Sequence, residues 1–212
     1  MHFFKENDLS REEDKYIRFI AYDTLIDFDE KSLPVLSEFD HFINSSILIL
    51  PMQFVARKGG HEEDYYSSGG KGIVMYVSAT EHYIILYDEQ MPDAEIRWTL
   101  SKLLYLVKSG IAYEKPDVFH YADRPNNEVH CEAFAYQFTC PDAILAECKI
   151  NSASNIIEHC KIPFSYANIK SKLLETSIRI KSLQLAEKTL INNFQHYIKN
   201  FKLEHQIKLN KI

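Results

Sequence analysis

Histidines and cysteines in the second half of the chain are the residues best suited to bind a metal ion. His120, His130 and Cys131 lie before or within one predicted helix, and His159 and Cys160 end another. Neutral imidazole and thiolate bind zinc, and a hydrolytic zinc site adds a carboxylate that takes a proton from the metal-bound water. Neighbours on a helix point about 100° apart, so the adjacency of His130 and Cys131 does not by itself make a site. A metal site assembled from these residues is an alternative that the sequence leaves open.

Other catalytic patterns are missing from the sequence. It has no glycine-rich phosphate loop, no serine nucleophile elbow and no paired-carboxylate motif. The four cysteines lack the CxxC spacing of structural zinc sites and redox motifs, and we expect free, mostly buried thiols at Cys131, Cys140, Cys148 and Cys160. The N-terminal segment has no apolar leader, and no stretch is apolar for long enough to span a membrane. These features predict a cytoplasmic protein.

Hydrophobic spacing predicts the elements that would position these residues. The run from Glu95 to Lys108 is apolar around much of its circumference, because Leu103, Leu104 and Leu106 add to its main stripe. We therefore expect it to be a buried central helix. The other main elements expected are helices at 11–27 and 128–138, a buried strand at 47–55, and a hairpin of strands at 72–79 and 82–87.

Three segments of the chain, taken in order, form a pattern of motifs. The first is the strand at 83–87, a turn at Met91-Pro92 and the run Arg97-Trp98-Thr99-Leu100-Ser101. The second is Glu128-x-His130-x-x-x-Phe134-Ala135-x-x-Phe138-x-x-Pro141, and the third is Ile162-Pro163-Phe164-Ser165-Tyr166-Ala167, followed by Lys172-Leu173. Over roughly 73–174 these segments resemble the ImmA/IrrE family, cytoplasmic metallopeptidases of mobile elements and stress responses that cleave repressors. The resemblance implies an α+β, helix-rich zincin-like domain, in which a small antiparallel β-sheet packs on the central helix.

The same resemblance places a lysine and two leucines at the positions of the catalytic base and two zinc ligands. The family has His-Glu-x-x-His on its central helix, and this chain has Lys102-Leu103-Leu104-Tyr105-Leu106. Lys102 stands at the first zinc ligand, Leu103 at the catalytic base and Leu106 at the second ligand, and His130 stands at the third. Two imidazoles one helical turn apart are needed to hold the metal. We therefore expect no catalytic residue, no metal and no other cofactor, with His130 a vestigial, half-buried histidine.

Lys102 is the substitution with a chemical consequence. Its ammonium could reach into the emptied site and pair with Glu128 or another acid, so that a charge takes the place of the metal. The alternative is that its long side chain extends along the helix surface to solvent.

The resemblance implies a function without catalysis. The substrates of the family are helix-turn-helix repressors, so an inactive member would keep the recognition surface and bind a transcriptional regulator of a bacterial prophage, mobile element or stress response. Two alternatives remain: a metallopeptidase with a rearranged metal site at His130, His120 and Cys131, and a structural or oligomeric protein that reuses the fold.

The predicted domains are a degenerate peptidase domain at 1–175 and a basic amphipathic helical extension at 176–212. The 212-residue chain has a formal net charge of −6, which argues against a dedicated nucleic-acid-binding protein. Nucleic acid could be bound only through the basic tail, whose lysines are Lys181, Lys188, Lys199, Lys202, Lys208 and Lys211. Packing of that tail on the domain, or a homodimer contact, is the other expectation.

Overall fold

The computed structural model describes residues 9–37, 46–53, 71–176 and 183–209. The strands are β1 (Ile47–Pro51), β2 (Gly72–Val77) and β3 (His82–Tyr87). The helices are α1 (Arg11–Asp27), α2 (Asp93–Lys108), α3 (Ile111–Glu114), α4 (Glu128–Thr139), α5 (Asp142–Cys148), α6 (Ala153–Cys160), α7 (Phe164–Thr176), α8 (Gln184–Asn193) and α9 (Gln195–Leu209). Within the described residues, none of these helices is both long enough and apolar enough to cross a membrane.

The three strands form one sheet in the order β1-β3-β2. β2 and β3 pair antiparallel, with Gly72 opposite Tyr87 and Val77 opposite His82, which confirms the predicted hairpin. β1 pairs with β3 in parallel, so the predicted antiparallel sheet is wrong and the sheet is mixed. A short turn forces neighbouring strands to run antiparallel, whereas the long connection from β1 to β2 permits either direction. Strand direction was therefore fixed by the sequence only for the hairpin.

The chain divides into two compact units, of which one comprises Met1–Val35 with Tyr136–Ile212 and the other comprises Leu36–Ala135. This division differs from the predicted separation of residues 1–175 from 176–212. In the first unit α8 contacts α1 and α5, and α9 contacts α5. Helix α8 therefore packs directly on the N-terminal helix, and both C-terminal helices pack on α5.

In the unit Leu36–Ala135, α2 contacts β2 and β3, and every residue of α2 from Ile96 to Val107 is buried. The contact is close at Gly72. A Cβ atom at this position would lie 2.8 Å from Leu103 Cδ1, 2.9 Å from Thr99 Cγ2 and 3.0 Å from the Leu86 carbonyl oxygen. Only glycine lets the first residue of β2 approach the helix this closely. The predicted buried central helix, with a small sheet packed on it, is confirmed.

In the other unit, α1 begins as the sequence predicts. The Ser10 hydroxyl accepts from the Glu13 amide at 3.3 Å, and the Glu13 carboxylate accepts from the Ser10 amide at 2.8 Å. This capping box satisfies two amides that the helix cannot bond internally. The apolar stripe of the C-terminal helices is buried at Leu183, Leu190, Phe194, Ile198 and Phe201.

The lysines of the C-terminal tail differ in their surroundings. Lys188, Lys199 and Lys202 are exposed, and Lys202 Nζ lies 3.0 Å from Glu147 Oε2 on α5. Lys181 and Lys211 lie outside the described residues. One of the exposed charges is therefore already paired with an acid of its own unit.

Candidate functional site

The candidate site lies around Lys102 on α2, where the resemblance places the first zinc ligand. Its ammonium donates to a carboxylate oxygen of Asp123, in the loop between α3 and α4. The Lys102 side chain is 8% exposed and that of Asp123 is 47% exposed, so a buried cation is neutralised by an acid that faces solvent. The pairing hypothesis named Glu128 or another acid, and the acid in the structure is Asp123. We call Lys102, Asp123, Tyr105, His130 and Cys131 the Lys102 site.

The positions at which the resemblance places the catalytic base and the second ligand are part of the hydrophobic core. Leu103 and Leu106 are both fully buried. Leu103 lies under the first residue of β2, where its Cδ1 atom would be 2.8 Å from a Cβ atom on Gly72. A charged or metal-binding group at the fully buried position of Leu103 would lose its water of hydration. The helix therefore uses these positions for packing.

His130, which the resemblance places at the third-ligand position, lies beside aromatic rings. Its ring centroid is 6.1 Å from that of Tyr105 on α2, and the Tyr105 ring is 5.7 Å from that of Phe134. His130 is partly buried, whereas Tyr105 and Phe134 are buried. The half-buried histidine expected from the sequence is thus what the structure contains.

Cys131 is buried and free, like the other three cysteines, as predicted. Burial raises the pKa of the Cys131 thiol far above its ordinary value; the Lys102 ammonium opposes the shift, and the charges of Asp123, Glu132 and Glu128 add to it. A thiol must lose its proton to bind a metal or to act as a nucleophile. Cys131 therefore remains protonated at neutral pH.

The structure does not gather the proposed metal donors. His120 pairs through its backbone with Val74 of β2, and its Nε2 lies 3.0 Å from the Lys115 carbonyl oxygen. Among residues 9–37, 46–53, 71–176 and 183–209, no group of three or more His, Cys, Asp or Glu side chains is placed to hold a metal ion. The rearranged site at His130, His120 and Cys131 has no such cluster in this part of the chain.

Sequence reasoning missed a second charged cluster, in the unit that contains α1. Asp142, the first residue of α5, accepts from Lys170 Nζ at 2.5 Å, Arg18 Nη1 at 2.5 Å and Gln137 Nε2 at 3.2 Å. Gln137 in turn accepts from the Tyr22 hydroxyl at 3.3 Å. We call these five residues the Asp142 network. The sequence does show that Asp14 and Arg18 are four residues apart, a spacing at which side chains pair on a helix. The residues around Lys170, however, do not indicate that its partner is Asp142.

The electrostatics of the Asp142 network follow from its two cations. Burial by itself would raise the pKa of Asp142, but the Lys170 and Arg18 charges outweigh burial and hold that pKa well below its usual range. Lys170 is only 1% exposed, so its ammonium depends on Asp142 for compensation. The network is therefore a buried ion cluster that stays charged at neutral pH.

Comparisons with models of protein families, with curated proteins and with solved structures found no match.

Lys102 is buried and its partner Asp123 is half exposed, so removing either side chain should affect stability differently. Asp123→Asn leaves the buried Lys102 ammonium without a counter-ion and should lower the free energy of unfolding by about 1–2 kcal/mol. Lys102→Met removes the buried charge and should be neutral or slightly stabilising, because the Asp123 carboxylate it leaves behind is half exposed. Urea unfolding of both variants at pH 7 measures the difference. Equal losses in the two variants would contradict the asymmetry.

Proposed function

We propose that this chain is an inactive relative of the ImmA/IrrE metallopeptidases, with a zincin-like fold, that binds a bacterial transcriptional regulator without cutting it. The cytoplasm is the compartment that fits this role. The resemblance of three ordered sequence segments to that family supports the relationship. The helix-turn-helix repressors on which the family acts supply the class of partner.

The observation that supports the proposal is the identity and burial of three residues on α2. A zinc peptidase needs two imidazoles and a carboxylate at the positions of Lys102, Leu106 and Leu103. In this chain the first position carries a cation paired with Asp123, and the other two are fully buried leucines. A cation at a ligand position repels a metal ion, and a leucine offers it no donor atom. A domain with this helix could still bind the partner through its surface, without chemistry at α2.

The test combines binding, cleavage and metal content in one preparation. The protein is purified without a metal-affinity tag and mixed with the helix-turn-helix repressor encoded nearest its gene. Size-exclusion chromatography with light scattering should detect a complex of constant stoichiometry. Intact-mass spectrometry over hours should find the repressor uncut, and elemental analysis should find less than one zinc per ten chains.

A family member with an intact His-Glu-x-x-His helix, incubated with its own repressor, is the control for cleavage. Repressor fragments produced by this chain would overturn the proposal. Stoichiometric zinc that is lost in His130→Ala would do so as well, because it would establish a rearranged metal site. Absence of any complex would refute the regulatory role.

A further inference from the structure

Three tyrosines cluster at one end of the sheet in the unit Leu36–Ala135. Tyr76 on β2 is central: its ring centroid lies 4.9 Å from that of Tyr83 on β3 and 5.0 Å from that of Tyr113 on α3. The interplanar angles are 50° and 58°, so the rings are inclined and are not stacked flat. Tyr113 is 59% exposed, and Tyr76 and Tyr83 are partly exposed. The cluster thus offers aromatic surface to solvent.

Two exposed acids border these rings. Asp117 is held beside Tyr76, because its amide donates to the Tyr76 carbonyl oxygen at 2.8 Å. Its carboxylate accepts from the Ser78 amide at 3.0 Å and from the Ser78 hydroxyl at 2.5 Å, and these bonds lower the pKa of Asp117. Partial burial raises the pKa of Tyr76, and the charges of Glu81, then of Asp117, add to the shift. Asp117 is therefore ionised beside a neutral phenol. We call Tyr76, Tyr83, Tyr113, Glu81 and Asp117 the tyrosine patch.

We propose that the tyrosine patch binds an arginine side chain of a partner protein. Aromatic faces attract cations, and carboxylates beside them add Coulomb attraction. A guanidinium suits this surface better than an ammonium, since it is planar, stacks on aromatic rings and pairs with a carboxylate through two N–H groups. The patch is not part of the Lys102 site and does not depend on the fate of α2. The inference therefore stands or falls independently of the proposed function.

Basic groups on the same segments weaken the attraction without cancelling it. Lys115 precedes Asp117 by two residues, and His82 begins β3. His82 Nδ1 contacts the Thr80 carbonyl oxygen, and the Lys115 carbonyl oxygen contacts His120. Glu114 is a further exposed acid on α3. The acids of this surface thus outnumber its lysine.

The test is a titration of the full chain, with ¹³C-labelled tyrosine rings, followed by NMR. The probe is the peptide acetyl-Gly-Arg-Gly-amide, and the matched reference is the same peptide with citrulline, which keeps the shape of arginine but is uncharged. We expect saturable shifts of Tyr76, Tyr83 and Tyr113 with the arginine peptide, and binding at least about fivefold weaker with the citrulline peptide. Tyr16 on α1, 53% exposed, is the internal reference and should not move.

Two variants test the role of the rings. Tyr113→Ala should weaken binding of the arginine peptide about two- to fivefold, whereas Tyr76→Phe, which keeps the ring, should change it less than about twofold. Equal responses to the two peptides, shifts at Tyr16 alone, or no saturable shift would overturn the inference. The comparison of peptides on the unmodified chain needs no variant, so it remains decisive even if a variant fails to fold.

Discussion

Asp142→Asn is expected to lower the free energy of unfolding by about 3–5 kcal/mol at pH 7, because it leaves a buried cation without its counter-charge. Lys170 is 1% exposed, and its ammonium lies 2.5 Å from the Asp142 carboxylate. Among the described residues, Lys170 also donates to the Tyr136 carbonyl oxygen at 3.4 Å, but neither this carbonyl nor the introduced amide carries a charge. Arg18 is less affected, since it keeps Asp14 at 2.9 Å. Urea unfolding followed by circular dichroism measures the loss.

Asp14→Asn is the matched control. It removes the other carboxylate that pairs with Arg18, by the same chemical change, but the Asp14 side chain is 35% exposed. Ion pairs near the surface contribute about 0–1 kcal/mol, so this variant should lose no more than that. Similar losses in the two variants would show that the Asp142 network is not the buried ion cluster described above.

The Asp142 network also makes stability depend on pH in a defined direction. The pKa of Asp142 is lowered in the folded protein, so the folded state binds fewer protons than the unfolded state as pH approaches the ordinary aspartate value of about 3.9. Its contribution is present above that value and is lost as pH falls through the folded pKa. The difference between the parent and Asp142→Asn should therefore shrink by about 1 kcal/mol from pH 7 to pH 3. A difference that stays constant, or grows, would contradict the lowered pKa.

Leu103→Glu should be at least as damaging, with a loss of about 3–5 kcal/mol at pH 7, because it buries a carboxylate without a partner. Leu103 is fully buried and lies against β2 at Gly72. Urea unfolding measures the loss. Leu103→Met, which conserves volume, is the control and should cost less than about 1.5 kcal/mol.

The pH dependence of Leu103→Glu should be opposite to that of Asp142. Burial raises the pKa of a carboxylate, so the folded variant binds more protons than the unfolded one and becomes less stable as pH rises through the unfolded value. The defect should therefore be smallest at low pH. If Leu103→Glu instead matched Leu103→Met at pH 7, position 103 would face water, and the packing of α2 on the sheet would be wrong.

This result bears on the proposed function. Rebuilding His-Glu-x-x-His on α2 requires Lys102→His, Leu103→Glu and Leu106→His, and two of these changes place polar groups at fully buried positions. Restoring the ligands would therefore destabilise the helix against the sheet. The positions at which the resemblance places the base and the second ligand are thus also positions of the core.

The sequence by itself determined the local elements. Hydrophobic spacing predicted α1 and α2. The β-rich runs at 72–79 and 82–87 predicted the β2–β3 hairpin. Hydrophobic periodicity and short turns involve residues that are close in the chain. They can therefore be recognised in the sequence without knowledge of the tertiary structure. The residue types of Lys102, Leu103 and Leu106, at the positions where the resemblance places two ligands and the base, can likewise be read from the sequence alone.

Only the tertiary structure decided which distant groups meet. It paired Lys102 with Asp123, set β1 parallel to β3, and packed α8 against α1. It also brought Arg18 and Lys170 to Asp142 across long stretches of chain. Such contacts depend on where loops and helices bring side chains in space, and a charge alone does not specify its partner. The ion pair of Lys102 with Asp123 and the burial of α2 are thus properties of the tertiary structure. The absence of histidine from α2, by contrast, is evident from the sequence.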